Sequence, residues 1–234
     1  MSESILLLGI DTCGPCGSVA LGRLNGQSIE MIGQIELEGR TYSSTLVTAV
    51  SDLLAQNSVR LREVGAIVAV NGPGSFTGVR VGLAAVKGLA EATQIPVVAV
   101  SRLEVLAAKA GVPSAALDAH RHEVFLRLDT GNEPGRELLA GADEFAAIHP
   151  APVRIALCDE AAALVLSASW PTTELVRTAA PTAADALVHC SQRVTAGEFA
   201  DLERLDGHYL RRSDAEIFGK EILGIPAAGA PGRL

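Results

Sequence analysis

The apolar positions of this chain change their period several times, and each change predicts an element. An unbroken apolar run at residues 5–10 reads as a buried strand that stops at Asp11 and Thr12. A second strand is expected at 18–21 and a third, with imperfect alternation, at 29–37; Asn25-Gly26 between them is a hairpin signal. From 41 to 56 the period becomes helical, with Tyr42, Leu46, Val50 and Leu53 on one face and Val47 and Leu54 widening it. A β-branched run at 66–70 predicts another buried strand. Val79, Leu83, Val86 and Ala90 then recur at helical spacing, and 97–100 returns to strand. Three meandering strands followed by helix, strand, helix, strand is the order of an actin-like, ribonuclease H-like α/β lobe.

The second half repeats the theme more faintly. Ser101 is expected to cap a helix, with Glu104 closing a capping box and Gly111 and Pro113 ending it. Strands at 115–118 and 123–128 flank a polar turn, a Gly- and Pro-rich loop covers 129–135, and 154–158 is a further strand. A helix at 181–194 is expected to show Ala184, Leu187, Val188 and Ser191 on one side. An actin-like order over 234 residues leads us to expect two lobes, an N-terminal one at 1–102 and a smaller one at 103–218, followed by a mobile tail at 219–234; the only internal repeat is a strand–turn–strand echo in each half.

Between the strand at 66–70 and its helix lies Gly72, Pro73, Gly74, Ser75, Phe76, Thr77 and Gly78, a structural Gly-rich turn at a helix N-terminus. Such a turn suits an anion or a close-packed partner. Neither phosphate-loop pattern fits: no Gly-Lys pair falls at the Walker A place, and Thr77 stands where a dinucleotide loop has its third glycine. Ser75 and Thr77 have no His or Asp nearby in sequence as a base, so they read as turn and N-cap residues. At least one of the three glycines is expected at positive φ. On the helix, Arg80, Ala84, Lys87 and Glu91 make a narrow polar stripe, and Gly82, Ala85, Gly88 and Ala92 leave room for another backbone. A helix apolar over more than half its circumference is buried on more than one side.

Composition narrows the function classes. With 234 residues, 48% of them hydrophobic, the chain is long and apolar enough to bury a core. Aromatics are only 3%, so Ala, Val, Leu and Ile must build that core. A net charge of -8 makes the chain a poor lone binder of nucleic acid. No apolar run approaches the roughly 18–20 residues of a membrane span, and the first four residues lack the basic region of a secretion signal. A cytoplasmic protein with its four cysteines reduced is expected.

Three places carry candidate chemistry. Cys13-Gly14-Pro15-Cys16 has the spacing of a redox dithiol, but strand-like sequence follows it where that chemistry needs a helix N-terminus. Cys158 and Cys190 stand apart and supply no second pair for zinc. The motif therefore reads as a hairpin turn, with a thiol oxidoreductase using Cys13 and Cys16 as an alternative. In actin-like ATPases an acidic residue at the end of the first strand helps to hold the metal of the nucleotide, so Asp11 and Thr12 mark a vestigial nucleotide site or a turn cap. A second phosphate hairpin would fall at 118–123, which has no glycine. His120 and His122 there are two ligands without a third, and no metal site is expected. A stand-alone actin-like ATPase or kinase is the other alternative.

The string from Gly72 to Ala90, GPGSFTGVRVGLAAVKGLA, closely resembles the signature of the bacterial TsaB family, also called YeaZ. The likeness continues at Ile10-Asp11-Thr12, at Val100 to Glu104, at Leu117-Asp118-Ala119 with Glu123-Val124, and at Tyr209-Leu210-Arg211, and it thins after Phe125. Two positions depart from the family: Tyr42 stands where it usually has His, and His122 where it usually has Gly. The resemblance implies an actin-like fold and a non-catalytic scaffold or activating subunit that pairs with TsaD. TsaD holds the metal and transfers a threonylcarbamoyl group to the adenosine beside the anticodon of tRNAs. It also implies a TsaC-like synthase and a TsaE-like ATPase as functional partners, and tRNA contact only through the complex. The chain would need no cofactor of its own beyond weak nucleotide binding, and would form a homodimer when alone. The partner surface is expected on the two helices of the N-terminal lobe, from Tyr42, Leu46, Val50 and Leu53 on the first and Val81, Ala85, Leu89 and Ala92 on the second, as an outward apolar strip.

Overall fold

The structure, a computed structural model, describes residues 4–38, 41–129 and 135–211. Two five-stranded sheets follow one plan. The first has the order β3-β2-β1-β4-β5, from β1 (Ile5–Asp11), β2 (Cys16–Asn25), β3 (Ser28–Glu38), β4 (Val64–Val70) and β5 (Val97–Val100). The first three strands are antiparallel neighbours, and β4 and β5 add in parallel. The second sheet consists of β6 (Ala115–Asp118), β7 (Val124–Leu128), β8 (Arg136–Ala140), β9 (Arg154–Leu157) and β10 (Glu174–Arg177). Its order, β10-β9-β6-β7-β8, with the same sense of pairing, makes the strand–turn–strand echo a duplicated sheet. This is the actin-like, ribonuclease H-like α/β fold in two lobes.

The apolar runs of β1 and β4 follow from burial on both faces. Helices α1 (Tyr42–Gln56) and α2 (Phe76–Thr93) pack side by side on one face of the first sheet, and α6 (Ala183–Thr195) covers the other. The pleat shows the division. A Cβ on Gly17 would meet the Tyr42 ring at 2.8 Å, whereas one on Gly9 would meet the Ala183 carbonyl oxygen at 2.8 Å. The Ala183 N–H donates to Ser18 Oγ (2.8 Å), fixing the start of α6 on β2. By sequence α6 falls within 103–218, yet it packs on the first sheet. Its buried face is Ala183, Ala186, Leu187, Cys190, Ser191 and Val194, and Val188, expected inward, points to solvent.

Helix α3 (Arg102–Ala110) joins the lobes, with Val105 in the first core and Leu103, Leu106 and Ala107 in a cluster with Leu117 and Phe125. Ser101 caps it, its Oγ accepting from the Leu103 N–H (3.2 Å). The expected capping box does not form, because the Glu104 carboxylate meets His189 of α6 at 2.7 Å instead. Four elements escaped the periodicity: β8, α4 (Ala142–Ala147), α5 (Glu160–Ser169) and β10. The sequence of α5, EAAALVLSAS, is apolar almost throughout and shows no helical stripe. Residues 219–234 lie outside the described residues. Among the described residues no helix is long and apolar enough to cross a membrane.

Candidate functional site

The β1–β2 turn sits where an actin-like lobe presents its first phosphate hairpin, and here internal bonds hold it on all sides. Gly74, Gly78 and Gly82, four residues apart, form a bare groove along the start of α2. A Cβ at Gly74 would run into the Cys13 carbonyl, and at Gly78 or Gly82 into Thr12. The Thr12 hydroxyl donates to the Gly78 carbonyl (2.7 Å), and the Ser75 N–H donates to the Cys13 carbonyl (2.7 Å). The Tyr42 hydroxyl donates to the Gly14 carbonyl (2.8 Å). Gly82, expected to receive a neighbouring helix, is thus filled by the chain's own turn. Ser75 caps α2, its Oγ accepting from the Gly78 N–H (3.3 Å), and Gly72 has the expected positive φ, 115°. That conformation lets the His208 carbonyl pass 3.0 Å from where a Cβ would stand.

Beneath the turn lies a buried ion pair. Asp11, 1% exposed, accepts the Cys13 N–H at Oδ1 (2.8 Å), and its Oδ2 lies 3.3 Å from Nε of Arg102, itself 5% exposed. The guanidinium fills the space under Gly14, close enough that no Cβ fits there. Burial, the largest single effect, opposes the Arg102 charge, but Asp11 together with Cys13 and Cys158 raises the pKa above the usual range. The carboxylate expected as a vestigial metal ligand is committed to an internal cation. Cys13 of the CGPC turn is buried. Burial and then Asp11 push its thiol well above the usual range, and its Sγ donates to the Val70 carbonyl (3.3 Å). Cys16 is exposed, and all four cysteines are free.

The second-lobe turn occupies the matching place and differs in kind. His120, Arg121 and His122 all have left-handed backbones, φ 60°, 58° and 61°, and all three are exposed. Asp118 holds the turn, accepting the His120 N–H at Oδ1 (2.8 Å) and facing Nδ1 with Oδ2 (2.8 Å). Among the described residues no group of three His, Cys, Asp or Glu could hold a metal ion.

A strap at 206–211 crosses between the lobes. The His208 N–H donates to the Asn71 carbonyl (2.7 Å), and its Nε2 lies 2.9 Å from Oε2 of Glu137. Glu137 also accepts from Ser101 Oγ (2.6 Å) and Arg127 Nη1 (2.9 Å). Tyr209 packs on Phe76 with ring centroids 5.0 Å apart, the Arg80 guanidinium lies 3.7 Å over the Phe76 ring, and Arg211 pairs with Glu123.

The expected partner strip is partly redrawn. Tyr42, Leu46, Val50 and Leu53 are 1–4% exposed, because this face of α1 packs on the sheet and supplies core. Tyr42 and Leu53 therefore offer no outward surface. An open apolar groove of about 330 Å³ nonetheless runs between α1 and α2, with Leu46, Val50 and Leu54 beneath and Val47, Ala85 and Leu89 along it. Val47, expected only to widen the apolar face, is 64% exposed. Val81 is half-buried and Ala92 exposed. Reasoning from sequence missed Arg102, Glu137 and His208. An arginine two residues after an apolar strand was the available sign for the first; the other two meet only in three dimensions.

These features define an actin-like α/β protein whose first phosphate hairpin is closed by its own arginine. A family model for TsaD, tRNA N6-adenosine threonylcarbamoyltransferase, matches residues 35–149. The tRNA threonylcarbamoyladenosine biosynthesis protein TsaB of Haemophilus influenzae is 34% identical over 129 residues, 53% of each chain. TsaB of Bacillus subtilis is 36% identical over 126 residues, 52% of this chain and 54% of that one. The alignment thus spans about half the length of these curated relatives. The solved structure of YeaZ from Pseudomonas aeruginosa is 28% identical with a TM-score of 0.67, covering 88% of this chain and 100% of that one. Over about half its length the chain is similar to proteins named TsaB, and over 88% of it to the solved structure of YeaZ.

Proposed function

We propose that this chain is a non-catalytic subunit of the system that makes threonylcarbamoyladenosine beside the anticodon of tRNAs, and that it pairs with a TsaD-like protein through the α1–α2 groove. The observation that carries this reading is the groove itself, an apolar channel between α1 and α2 with Val47 projecting beside it. Apolar patches of this kind mark protein interfaces. The same groove would pair two copies when the TsaD-like protein is missing. A TsaE-like ATPase and a TsaC-like synthase are the functional partners this reading entails, acting in the cytoplasm. The Asp11–Arg102 pair argues against a stand-alone ATPase or kinase, since the metal-binding carboxylate is already neutralised and buried. It also supports a chain with no cofactor of its own. The buried Cys13 thiol argues against an oxidoreductase.

The test is co-elution with the TsaD-like protein from the same cell. Val47→Arg should abolish pairing and leave the circular dichroism and thermal midpoint of the chain alone unchanged, because the side chain already faces water. Ala85→Arg, at the half-buried wall, should also lose the partner with a modest loss of stability. A Val47→Arg chain that still co-elutes sinks the groove as the interface.

A further inference from the structure

The second sheet rests on the first lobe through α3, and that contact is apolar. Helix α3 itself is tied to the first lobe by polar contacts: Arg102 with Asp11, Glu104 with His189 (2.7 Å) and Lys109 Nζ with Asp185 Oδ2 (2.8 Å). On its other side Leu103, Leu106 and Ala107 pack against Leu117 and Phe125 of the second sheet. Apolar contact is non-directional, and layers packed this way can slide by small shear. The angle between the lobes is then set by directional contacts. Among the described residues, the polar contacts that cross this seam converge on two carboxylates of the second lobe, Glu137 and Glu123.

The strap at 206–211 brings His208 to the first carboxylate and Arg211 to the second, and it holds the two lobes by different means. On the first lobe its backbone is bonded. The His208 N–H donates to the Asn71 carbonyl (2.7 Å), Asn71 Nδ2 donates to the Asp206 carbonyl (3.3 Å), and Leu205, just before the strap, is buried in the first core. Tyr209 stays on that side too, against Phe76. On the second lobe, among the described residues, side chains hold it: His208 Nε2 at 2.9 Å from Glu137 Oε2, Arg211 on Glu123 and the His120 carbonyl, and Leu210 half-buried at the edge of the α3 cluster. His208, Arg211 and Glu123 are partly exposed, so these pairs are weak and such a segment opens early. The catch survives release. Glu137, 6% exposed, keeps Ser101 Oγ on Oε2 and Arg127 Nη1 on Oε1, and Glu123 reaches water.

We propose that the strap is a releasable clasp that sets the angle between the lobes, anchored on the first lobe at Leu205 and Asn71 and caught on Glu137 of the second by His208. Engaged, it holds the second sheet beside the Gly-rich turn. Released, it leaves the apolar α3 seam as the tie between the lobes, and the second sheet slides on it. The release strands no buried charge, because each oxygen of Glu137 keeps a donor from a residue outside the strap. A strap that only completed the core would be built the other way: its side chains would be buried, and Glu137 would depend on His208 for a donor. The clasp acts within one chain and does not depend on the pairing proposed above.

The test is the distance between spin labels on Glu30→Cys of β3 and Leu164→Cys of α5, both exposed, in the full chain diluted with unlabelled chain. Cys16→Ser and Cys158→Ser remove the accessible native thiols, and Cys13 and Cys190 are buried. The labelled chain should show one dominant distance and a minor second one. The double variant His208→Ala/Arg211→Ala should raise the share of the second about tenfold, the effect of losing two partly exposed pairs, with the far-UV circular dichroism retained. His208→Ala alone should raise it less. His208→Gln keeps a donor for Glu137 and should stay with the wild type, a rescue that packing of the imidazole alone would not give. An unchanged distance distribution in the double variant overturns the proposal. A double variant that fails to fold overturns it too, since lobes that need the strap in order to fold cannot release it. A His208→Gln chain that opens as far as His208→Ala removes Glu137 as the catch and overturns it as well.

Discussion

The two hairpin turns of this molecule occupy matching places in two sheets of one design, and they are built by opposite means. The β1–β2 turn is held from every side: Thr12, Cys13 and Gly14 are each bonded to α1 or to the start of α2, and Arg102 lies beneath. The β6–β7 turn stands in solvent with three left-handed residues, held by Asp118 and Glu123. In an ATP-dependent member of this fold both turns must stay open to grip phosphate. Here the first has become core and the second has become surface. The difference teaches that one topological position can be closed by filling it from within or left exposed with side chains on a left-handed backbone.

The largest expected effect breaks the first turn. Arg102→Ala leaves Asp11 buried and unpaired and should cost about 3–5 kcal/mol in denaturant unfolding. The paired replacement Asp11→Asn/Arg102→Met should restore most of that, since it removes both charges and keeps the volume. A single variant as stable as the wild type would show that the pair does not hold the turn. Gly78→Ala comes next. Its Cβ meets the Thr12 carbonyl, a backbone group that cannot swing aside, and about 1–3 kcal/mol should be lost. The contrast with His122→Gly in the other turn, where a smaller side chain stabilises, sharpens the comparison. If both substitutions act in the same direction, the turns are not opposites.

The smallest effect concerns α3, which carries Arg102 into place. The His189 hydrogen bond, against the opposing effect of burial, holds the Glu104 carboxyl below its usual range. A depressed carboxylate pKa adds stability above the unfolded value, near pH 4.3, and that stability is lost as pH falls through the folded value. With both groups partly exposed the contribution should be below about 1 kcal/mol. Stability of the wild type should therefore exceed that of His189→Gln at neutral and mildly acidic pH, and the two should converge below about pH 4. Curves that stay parallel to pH 3 would remove the contact from the account.

The N-terminal lobe was legible because its elements carry strong periods. The run at 5–10, the β-branched 66–70 and the stripe Val79–Leu83–Val86–Ala90 each bury one continuous surface, and such surfaces show in a single sequence. The second lobe was read less fully. Its strands are four or five residues long, and α5 is apolar on every side. The outward strip lies beside the periodic face of α1, not on it. Periodicity finds the apolar face of α1, but that face is the one the sheet consumes, and the exposed Val47 lies at its margin.

The sequence by itself determined the order of the elements in the N-terminal lobe and the Gly-rich turn before α2, because these depend on local period and on residues with no substitute. Tertiary structure alone decided what those places do. Asp11 and Arg102 are 91 residues apart, and Ser101, Glu137 and His208 come from three different elements. Whether a carboxylate binds a metal or an arginine depends on which side chain reaches it across the fold. That proximity is set by how two sheets and a strap pack together, and no local pattern encodes it.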